Sequence, residues 1–403
     1  MRTVTLQEFT PSAPLTLTLA ERDALRSLVP GLRLDPIAGS TDTYVLTPGS
    51  TIGAISLDTL SIEIRPKVGI ERVLFLLSYA LGNARWQDTA FQFSLSTSLL
   101  ECLVHVFATH VKRALAGGVL QGYRTEETAL AGLRGRIRCA EQVTRRFAAV
   151  MPVEVRFDEF TEDILENRLL KAAIVTLARM QMRSTTSYAS LRRFAPALEN
   201  VSQEMFDPKH VPSVTFTRLN ERYRPAIEWA RLILRHASIE SRHGALRGLG
   251  VLFDMNAVFE EFVRIALRER LRLSAWQWPS GSTCPSVYLD VASRVRLQPD
   301  LSWWDRTGCR FVGDVKYKKV NVVGVKHADL YQLLAYTTAT QLPSGLLLYA
   351  DGEDTAADHH VMLAGKTLHV RCLELGGPIT DVESQLDATA ALVASLTGSA
   401  HAA

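Results

Sequence analysis

Cysteine is scarce in this sequence, and its copies show no pattern. The five cysteines are scattered along the 403 residues, at Cys102, Cys139, Cys284, Cys309 and Cys372. Their spacing matches no zinc-binding motif, and the odd count argues against a disulfide framework. We therefore expect a chain that works in a reducing cytoplasm.

Long apolar runs and nucleotide-binding loops are also missing. No run reaches the ~18 apolar residues that a membrane-spanning helix needs, so we expect no membrane partner. Acids and prolines, rather than a secretory apolar core, follow Met1–Thr5. No Gly-x-x-x-x-Gly-Lys-Ser/Thr loop occurs, so any nucleotide hydrolysis should belong to a separate subunit.

The composition is that of an ordinary globular protein, but its charge is uneven. Hydrophobic residues make up 47% and charged residues 22%, and the length allows two or three domains. The whole chain has a net charge of +3. Residues 351–403 carry eight acids and two bases, so the first 350 residues carry about +9. Two arginine-rich stretches, 112–146 and 218–247, suit phosphate binding, because guanidinium makes paired hydrogen bonds to phosphate.

Two other interpretations of these arginines remain open. Either stretch fits a solvated helix face that is held by ion pairs along the helix. For Arg134, Arg136 and Arg138, contact with the nucleotide site of a partner protein is a further alternative to DNA contact.

The segment Gln298–Lys319 carries the clearest chemical signal. Two apolar runs flank Asp305-Arg306-Thr307-Gly308, which predicts a turn between antiparallel strands. Asp314 and Lys316 alternate on the second strand and so share one face, and Asp300 opens the first strand. Two carboxylates and one ammonium group at one place suit a divalent cation beside a phosphodiester. Chance occurrence of Pro-Asp and Asp-x-Lys is the plain alternative.

Two flanking helices add to this signal. Phe259, Phe262 and Val263 lie at helical spacing, and Glu260 lies at the edge of that apolar face, where it can supply a third oxygen ligand. A solvated face is the alternative for Glu260. Downstream, Gln332 and Tyr336 are four residues apart and so are neighbours on a helix; they suit support of the site or the DNA backbone, whereas a core role is the alternative for Tyr336.

An acid on a helix, then Pro-Asp, Asp-x-Lys and a Gln-x-x-x-Tyr helix resembles the PD-(D/E)xK nuclease superfamily. More narrowly, the chain resembles the McrC family, the nuclease subunits of McrBC-type modification-dependent restriction systems. The supporting strings, over roughly residues 50–350, are Leu133–Ile137, Thr161–Leu170, Asp254–Glu260 and Gly313–Lys318. Asn167 and Arg168 lie in the second string. A functional role is open for them, but a structural role, in which the pair bonds a loop, is the simpler interpretation.

The resemblance implies a Mg²⁺-dependent DNA endonuclease. It implies Asp300, Asp314 and Glu260 as metal ligands and Lys316 as the cation that positions water. Lys318, Gln332 and Tyr336 would then support the site or contact the DNA backbone. The expected partners are DNA and an AAA+ GTPase of the McrB type, which would itself recognise methylated DNA. Self-association within the complex is also expected.

Two other functions stay open. The chain could be a non-catalytic activator of an AAA+ ring with a vestigial nuclease fold. It could also be a DNA-repair nuclease that works with a helicase.

The predicted fold is mixed α/β, with four parts along the chain. Residues 1–120 form a β-rich and helical docking domain, 121–248 a helical region with basic stretches, 249–379 the nuclease domain around a mixed sheet flanked by helices, and 380–403 a tail. The predicted elements that matter below are strands at Leu15–Leu19, Leu60–Ile64 and Leu346–Tyr349, an exposed link at Tyr123–Glu127, helices at 70–81 and 95–115, and an edge strand at Thr367–Leu373.

Overall fold

The computed structural model describes residues 2–81, 98–147, 149–240, 248–320, 327–352 and 356–399. The first part of the chain is mainly β-structure followed by two helices. Its elements are β1 (Arg2–Gln7), β2 (Leu15–Thr16), α1 (Leu19–Leu28), β3 (Arg33–Pro36), β4 (Thr43–Thr47), β5 (Thr51–Leu57), β6 (Leu60–Arg65), α2 (Ile70–Ala80) and α3 (Leu99–Leu115). The predicted helices at 70–81 and 95–115 are confirmed as α2 and α3, although residues 95–97 lie outside the described residues.

The predicted strand at Leu15–Leu19 is wrong beyond its first two residues, because a helix begins at Leu19. Thr18 caps this helix: the amide of Glu21 donates to the Thr18 hydroxyl at 3.2 Å, and the amide of Thr18 donates to the Glu21 carboxylate at 2.9 Å. This reciprocal capping box satisfies two of the free amides at the helix start. The local cap outweighs the alternating pattern that favoured a strand.

The middle part of the chain is not purely helical. Its elements are β7 (Gly122–Leu130), β8 (Arg136–Ile137), α4 (Cys139–Arg146), β9 (Val153–Thr161), α5 (Leu165–Arg179), α6 (Thr185–Arg192) and α7 (Arg224–His236). Strands β7 and β9 pair over nine residues, from Gly122 opposite Thr161 to Leu130 opposite Val153, and β8 pairs with the other edge of β9. The extended range predicted at Val119–Ile137 is confirmed by β7 and β8, but the predicted link at Tyr123–Glu127 is wrong, since it lies inside β7.

Asn167 and Arg168 hold this middle sheet against α5. The buried Asn167 amide donates to the carbonyl oxygens of Leu120 at 2.8 Å and Glu162 at 2.7 Å. Arg168 Nε donates to Asp163 Oδ1 at 2.7 Å. The structural role predicted for these two residues is confirmed.

The last part of the chain completes one sheet and builds another. Its elements are β10 (Ala237–Glu240), β11 (Gly248–Asp254), α8 (Met255–Arg270), β12 (Val287–Tyr288), β13 (Arg296–Leu297), β14 (Leu301–Asp305), β15 (Gly308–Val320), α9 (His327–Ala339), β16 (Ser344–Gly352), β17 (Ala357–Val361), β18 (Lys366–Cys372) and α10 (Ile379–Ser399). Strand β11 pairs antiparallel with β5, so the first sheet has the order β1-β6-β5-β11-β10 and crosses the predicted division at residue 249.

The second sheet positions the site and has the order β14-β15-β16-β18-β17. It is mixed, because β15, β16 and β18 run parallel while the two edge strands are antiparallel to their neighbours. The unbroken apolar run Leu346–Tyr349 is its central strand, as predicted. The predicted strand at Thr367–Leu373 is confirmed as β18, but it is not an edge strand, because β17 pairs with its outer side. The mixed α/β class is confirmed.

Helices cover both faces of the second sheet. Phe259 and Phe262 of α8, with Val382 and Leu386 of α10, are buried in the large core on one face. Leu333 and Tyr336 of α9 pack with Val312 and Leu347 on the other face. The predicted tail therefore forms a packed helix through residue 399. Among the described helices, none is both long and apolar enough to cross a membrane.

Candidate active site

The β14–β15 hairpin brings Asp300 beside Asp314. Leu301 lies opposite Gly313 in this antiparallel pair, so one step further in the same register Asp300 faces Asp314. Asp300 Oδ2 accepts a hydrogen bond from the amide of Val315 at 2.8 Å, which fixes its carboxylate at the strand. The turn itself is the predicted one: Asp305 Oδ1 accepts from the amides of Thr307 at 2.7 Å and Gly308 at 3.2 Å.

Asp314 is fully buried beside Lys316. Lys316 Nζ lies 2.6 Å from Asp314 Oδ2, and the lysine side chain is 19% exposed while that of Asp314 is 0% exposed. Neither carboxylate oxygen of Asp314 accepts a well-aligned hydrogen bond within the described part of the chain. Burial and then repulsion from Asp300 raise the pKa of Asp314 to about 7, although Lys316 opposes the rise.

Lys316 stays protonated in this setting. Burial acts to lower the pKa of Lys316, but its contact with Asp314 and the charge of Asp300 outweigh burial, so the pKa is raised. Lys316 is therefore positively charged, and its side chain is partly exposed. Such a cation can orient water or stabilise charge that builds on a phosphate.

Glu260 belongs electrostatically to the same site. Burial first, then repulsion from Asp300 and Glu261, raise the pKa of Glu260 to about 7, and the charge of Lys316 opposes this. Its neighbour Glu261 has a different environment, since it forms an ion pair with Arg264 at 2.6 Å on the helix surface. The solvated-face interpretation therefore fits Glu261 and does not fit Glu260.

Tyr336 links α9 to the segment that carries Asp300. Its hydroxyl donates to the carbonyl oxygen of Gln298 at 3.0 Å and accepts from Gln332 Nε2 at 2.6 Å. The ring is buried in the core on the α9 face. Tyr336 thus packs in the core and also holds the backbone at Gln298, two residues before Asp300. Gln332 orients the Tyr336 hydroxyl.

Lys318 occupies a separate contact further along β15. Lys318 Nζ lies 3.4 Å from Asp329 Oδ1, and the Tyr349 hydroxyl donates to Asp329 Oδ2 at 2.8 Å. The sequence reasoning missed Asp329 and Tyr349 as neighbours of the site. An acid in the first turn of a helix that follows Asp-x-Lys was the available signal.

The two facing aspartates fit a divalent cation of the magnesium type. Mg²⁺ is commonly held by one or two carboxylates while its other positions are filled by water and substrate phosphate. The carboxylates of Asp314 and Glu260 have raised pKa values, and the oxygens of buried Asp314 accept no well-aligned hydrogen bond within the described residues. A bound cation would reduce the repulsion between these carboxylates and would give the Asp314 oxygens a ligand. Within the described residues, no group of three or more His, Cys, Asp or Glu side chains is gathered as a metal site. A ligand role for Glu260 therefore stays a prediction.

The three predicted contact arginines lie in or next to β8 of the β7–β9 sheet, and not on the sheet that carries the aspartates. Arg134 Nη1 lies 3.2 Å from Glu159 Oε1, and its guanidinium stacks 4.0 Å from the centre of the Phe157 ring. Arg138 pairs with Glu127 at 3.1 Å. Arg136 is exposed and forms no ion pair within the described ranges.

Comparisons with known proteins identify similar chains. The chain is 21% identical over 340 residues to the type IV methyl-directed restriction enzyme EcoKMcrBC of Escherichia coli K12, which covers 77% of this chain and 94% of that protein. A solved half-complex of Thermococcus gammatolerans McrB AAA+ hexamers with bound McrC contains a similar chain, with a TM-score of 0.58 and 17% identity, covering 96% of this chain and 100% of that one. This likeness shows a shared fold.

The family model described as McrBC 5-methylcytosine restriction system component matches residues 46–350. That span holds α2, the whole β7–β9 sheet and the site residues Glu260, Asp300, Asp314 and Lys316. The chain therefore belongs to the family of McrBC 5-methylcytosine restriction system components.

Proposed function

We propose that this chain is the nuclease subunit of a modification-dependent restriction complex and hydrolyses DNA phosphodiester bonds. The observation that carries the proposal is the convergence of Asp300, Asp314 and Lys316 at one sheet edge. The family match supports a role in restriction, and the order of the site residues resembles that of the PD-(D/E)xK nucleases.

The side chains have separable roles in this proposal. Asp300 and Asp314 would hold Mg²⁺, which when bound supplies Lewis-acid activation of water and of the phosphodiester. Lys316 donates a positive charge and hydrogen bonds at the place where negative charge develops on the phosphate. Tyr336 fixes the Gln298 carbonyl and so the position of Asp300. Glu260 would add a further carboxylate oxygen, as an outer or third ligand of the cation.

We also propose that the chain works with an AAA+ GTPase subunit, because its fold is shared with a chain solved in complex with McrB AAA+ hexamers. The lobe formed by the β7–β9 sheet and α4, residues 122–147 and 149–161, is suited to that contact. Its helix α4 buries no residue. The rings of Tyr123 and Phe160 lie 5.1 Å apart on the surface, and Phe147 is 91% exposed. Apolar groups of this size on a surface indicate a protein interface.

Matched substitutions at two residues of the site test the nuclease assignment. The assay measures cleavage of methylated plasmid DNA by the chain with its GTPase subunit in Mg²⁺, beside direct titration of metal into the chain. Asp314→Ala should abolish cleavage and weaken metal binding. Lys316→Ala should abolish cleavage but retain metal binding, because an ammonium group does not ligate a cation. Undiminished cleavage by either variant would overturn the assignment.

The same experiment separates the nuclease from the alternative of a non-catalytic activator. An activator would stimulate the GTPase subunit while the wild-type chain cuts neither methylated nor unmodified DNA. A repair nuclease would cut DNA with a helicase partner and without the GTPase.

A further inference from the structure

A short hairpin next to the candidate site has no role in the proposed chemistry. Strands β12 and β13 pair Val287 with Leu297 and Tyr288 with Arg296. Opposite residues of an antiparallel pair share one face. Val287 is 7% exposed and Leu297 packs against the core on the α9 face, so that pair forms the inner face. Tyr288 and Arg296 therefore form the outer face.

The outer face and the tip of this hairpin are exposed and positively charged. Arg294 and Arg296 are exposed and form no ion pair with a carboxylate in the described part of the chain, unlike Arg310 of the adjacent hairpin, which pairs with Asp305. Val291 at the tip is 105% exposed, and Tyr288 is 37% exposed. Two guanidinium groups that have no carboxylate partner among the described residues suit the phosphate backbone of a nucleic acid.

The loop that carries Arg294 is held in shape by its own backbone contacts. Asp290 Oδ1 accepts from the amides of Arg294 at 2.9 Å and Val295 at 2.8 Å. The amide of Leu289 donates to the Val295 carbonyl at 2.9 Å. Asp290 is thereby engaged with the backbone of the loop, and the arginines are presented on a closed turn.

The hairpin is also connected to the site by a short stretch of chain, which limits the distance between them. Its second strand leads into Gln298, whose carbonyl is held by Tyr336, and then into Asp300. Asp300 lies four positions after Arg296, and four extended residues span at most about 14 Å. That length corresponds to about four base-pair steps of duplex DNA at about 3.4 Å each. A phosphate bound by Arg296 would therefore lie within a few nucleotides of the bond at the aspartates.

We infer that the β12–β13 hairpin is a DNA-backbone contact that aligns the duplex with the candidate site, with Arg294 and Arg296 on phosphates and Val291 against the groove. The inference rests on the proposed function, since it takes DNA as the substrate. Charge complementarity and continuity with the site favour DNA as the occupant over the GTPase subunit.

Equilibrium binding tests the hairpin without requiring cleavage. The chain assembled with its GTPase subunit is titrated against fluorescent duplex DNA in EDTA at several salt concentrations. The double variant Arg294→Ala/Arg296→Ala should weaken binding about 10- to 100-fold, as expected for two lost charged hydrogen bonds. It should also reduce the slope of log affinity against log salt by about 2, one unit for each phosphate contact. Arg294→Lys/Arg296→Lys should retain most of that slope.

Two controls identify the cause of any loss. Arg192→Ala removes an exposed arginine from α6, which packs on α3 and α5 and not on the hairpin, and should leave binding unchanged. Val291→Asp changes only a fully exposed tip and should weaken DNA binding without altering the unfolding temperature.

The outcomes separate this inference from the proposed function. Unchanged affinity and salt slope in the alanine variant would overturn the inference while Asp314-dependent cleavage could still stand. Loss of assembly with the GTPase subunit, with unchanged DNA affinity of the assembled fraction, would also overturn it and assign the hairpin to the protein partner. Weakened binding together with absent cleavage by the wild-type chain would support the hairpin and refute the nuclease.

Discussion

Asp163 is expected to anchor the β7–β9 sheet, and its replacement by asparagine should loosen that anchor. The side chain is 8% exposed and collects charge-assisted hydrogen bonds from three directions. Arg168 donates through Nε at 2.7 Å and Nη2 at 2.8 Å, and Ser202 donates through its amide at 2.8 Å and its hydroxyl at 2.6 Å. Arg124 of β7 contacts the same carboxylate.

The size of the effect follows from what the substitution leaves behind. Asparagine keeps one acceptor, and Arg168 and Arg124 keep Glu204 and Glu126 as partners, so we expect a loss of about 1–3 kcal/mol, as for lost charge-assisted hydrogen bonds. Hydrogen bonds from Arg168 hold the pKa of Asp163 far below its usual range; burial opposes them, and Ser202 and Arg124 add to them. The stabilisation is thus fully present above the unfolded pKa near 3.9 and is lost as pH falls toward the folded pKa.

The assay compares wild type and Asp163→Asn by denaturant unfolding across pH and by hydrogen exchange of the β7 and β9 amides. We expect a constant difference between about pH 5 and 8 that shrinks below about pH 4. Asp158→Asn is the matched control, because Asp158 lies on β9 five residues before Asp163 but accepts one exposed hydrogen bond, from Thr125 at 2.7 Å. A loss below about 1 kcal/mol, or an equal loss in both variants, would refute the reasoning.

Three further predictions concern single side chains. Tyr336→Phe removes the hydrogen bond to the Gln298 carbonyl, so stability should fall by about 1–2 kcal/mol and cleavage should slow at least about tenfold with little change in KM, measured by unfolding and by steady-state kinetics. Burial raises the pKa of Glu8 from 4.5 to about 7, so the free energy of unfolding falls as the pH rises through that window. Glu8→Gln should remove this pH dependence and raise the free energy of unfolding by up to about 3 kcal/mol at pH 8, as measured by thermal unfolding. Gly135 has φ 72° and a Cβ there would lie 2.3 Å from the Arg156 carbonyl, so Gly135→Ala should cost about 1–3 kcal/mol and reduce stimulation of the GTPase subunit.

Each of these predictions has a contrary result. Unchanged kinetics in Tyr336→Phe would mean that the hydroxyl does not position Asp300. A Glu8→Gln variant that is less stable at pH 8 would mean that the contacts of Glu8 with Lys67 and Tyr317 outweigh its burial. Normal GTPase stimulation by a folded Gly135→Ala variant would remove the lobe from the partner interface.

The parts of the site that could be predicted from sequence are those fixed by local rules. Asp305–Gly308 specifies a turn, and alternation along one strand then places Asp314 and Lys316 on the same face. The order Glu260, Asp300, Asp314 and Lys316 also carried the family resemblance. These features depend on neighbours a few residues apart, so the sequence alone contains them.

The parts that could not be predicted depend on distant pairing. Strand β11 joins β5 about 200 residues earlier in the chain, and the Tyr317 hydroxyl reaches Glu8 across 309 residues at 3.4 Å. Strand β9 alternates apolar and polar residues over Val153–Asp158, so its sequence indicates a strand, but it does not report that the strand pairs with β7 and β8. Partners at such separations are set by packing of the whole chain, and composition within a window does not report them.

Cleavage and GTP hydrolysis measured in one reaction test the central claim most directly. Wild-type chain and Asp314→Asn are each combined with the GTPase subunit, methylated plasmid and Mg²⁺. We predict that Asp314→Asn cuts at least about 10²- to 10³-fold more slowly while it stimulates GTP hydrolysis as well as wild type. Equal cutting by the two proteins, or GTP hydrolysis without any cutting by wild type, would contradict the claim that Asp300, Asp314 and Lys316 form a nuclease site.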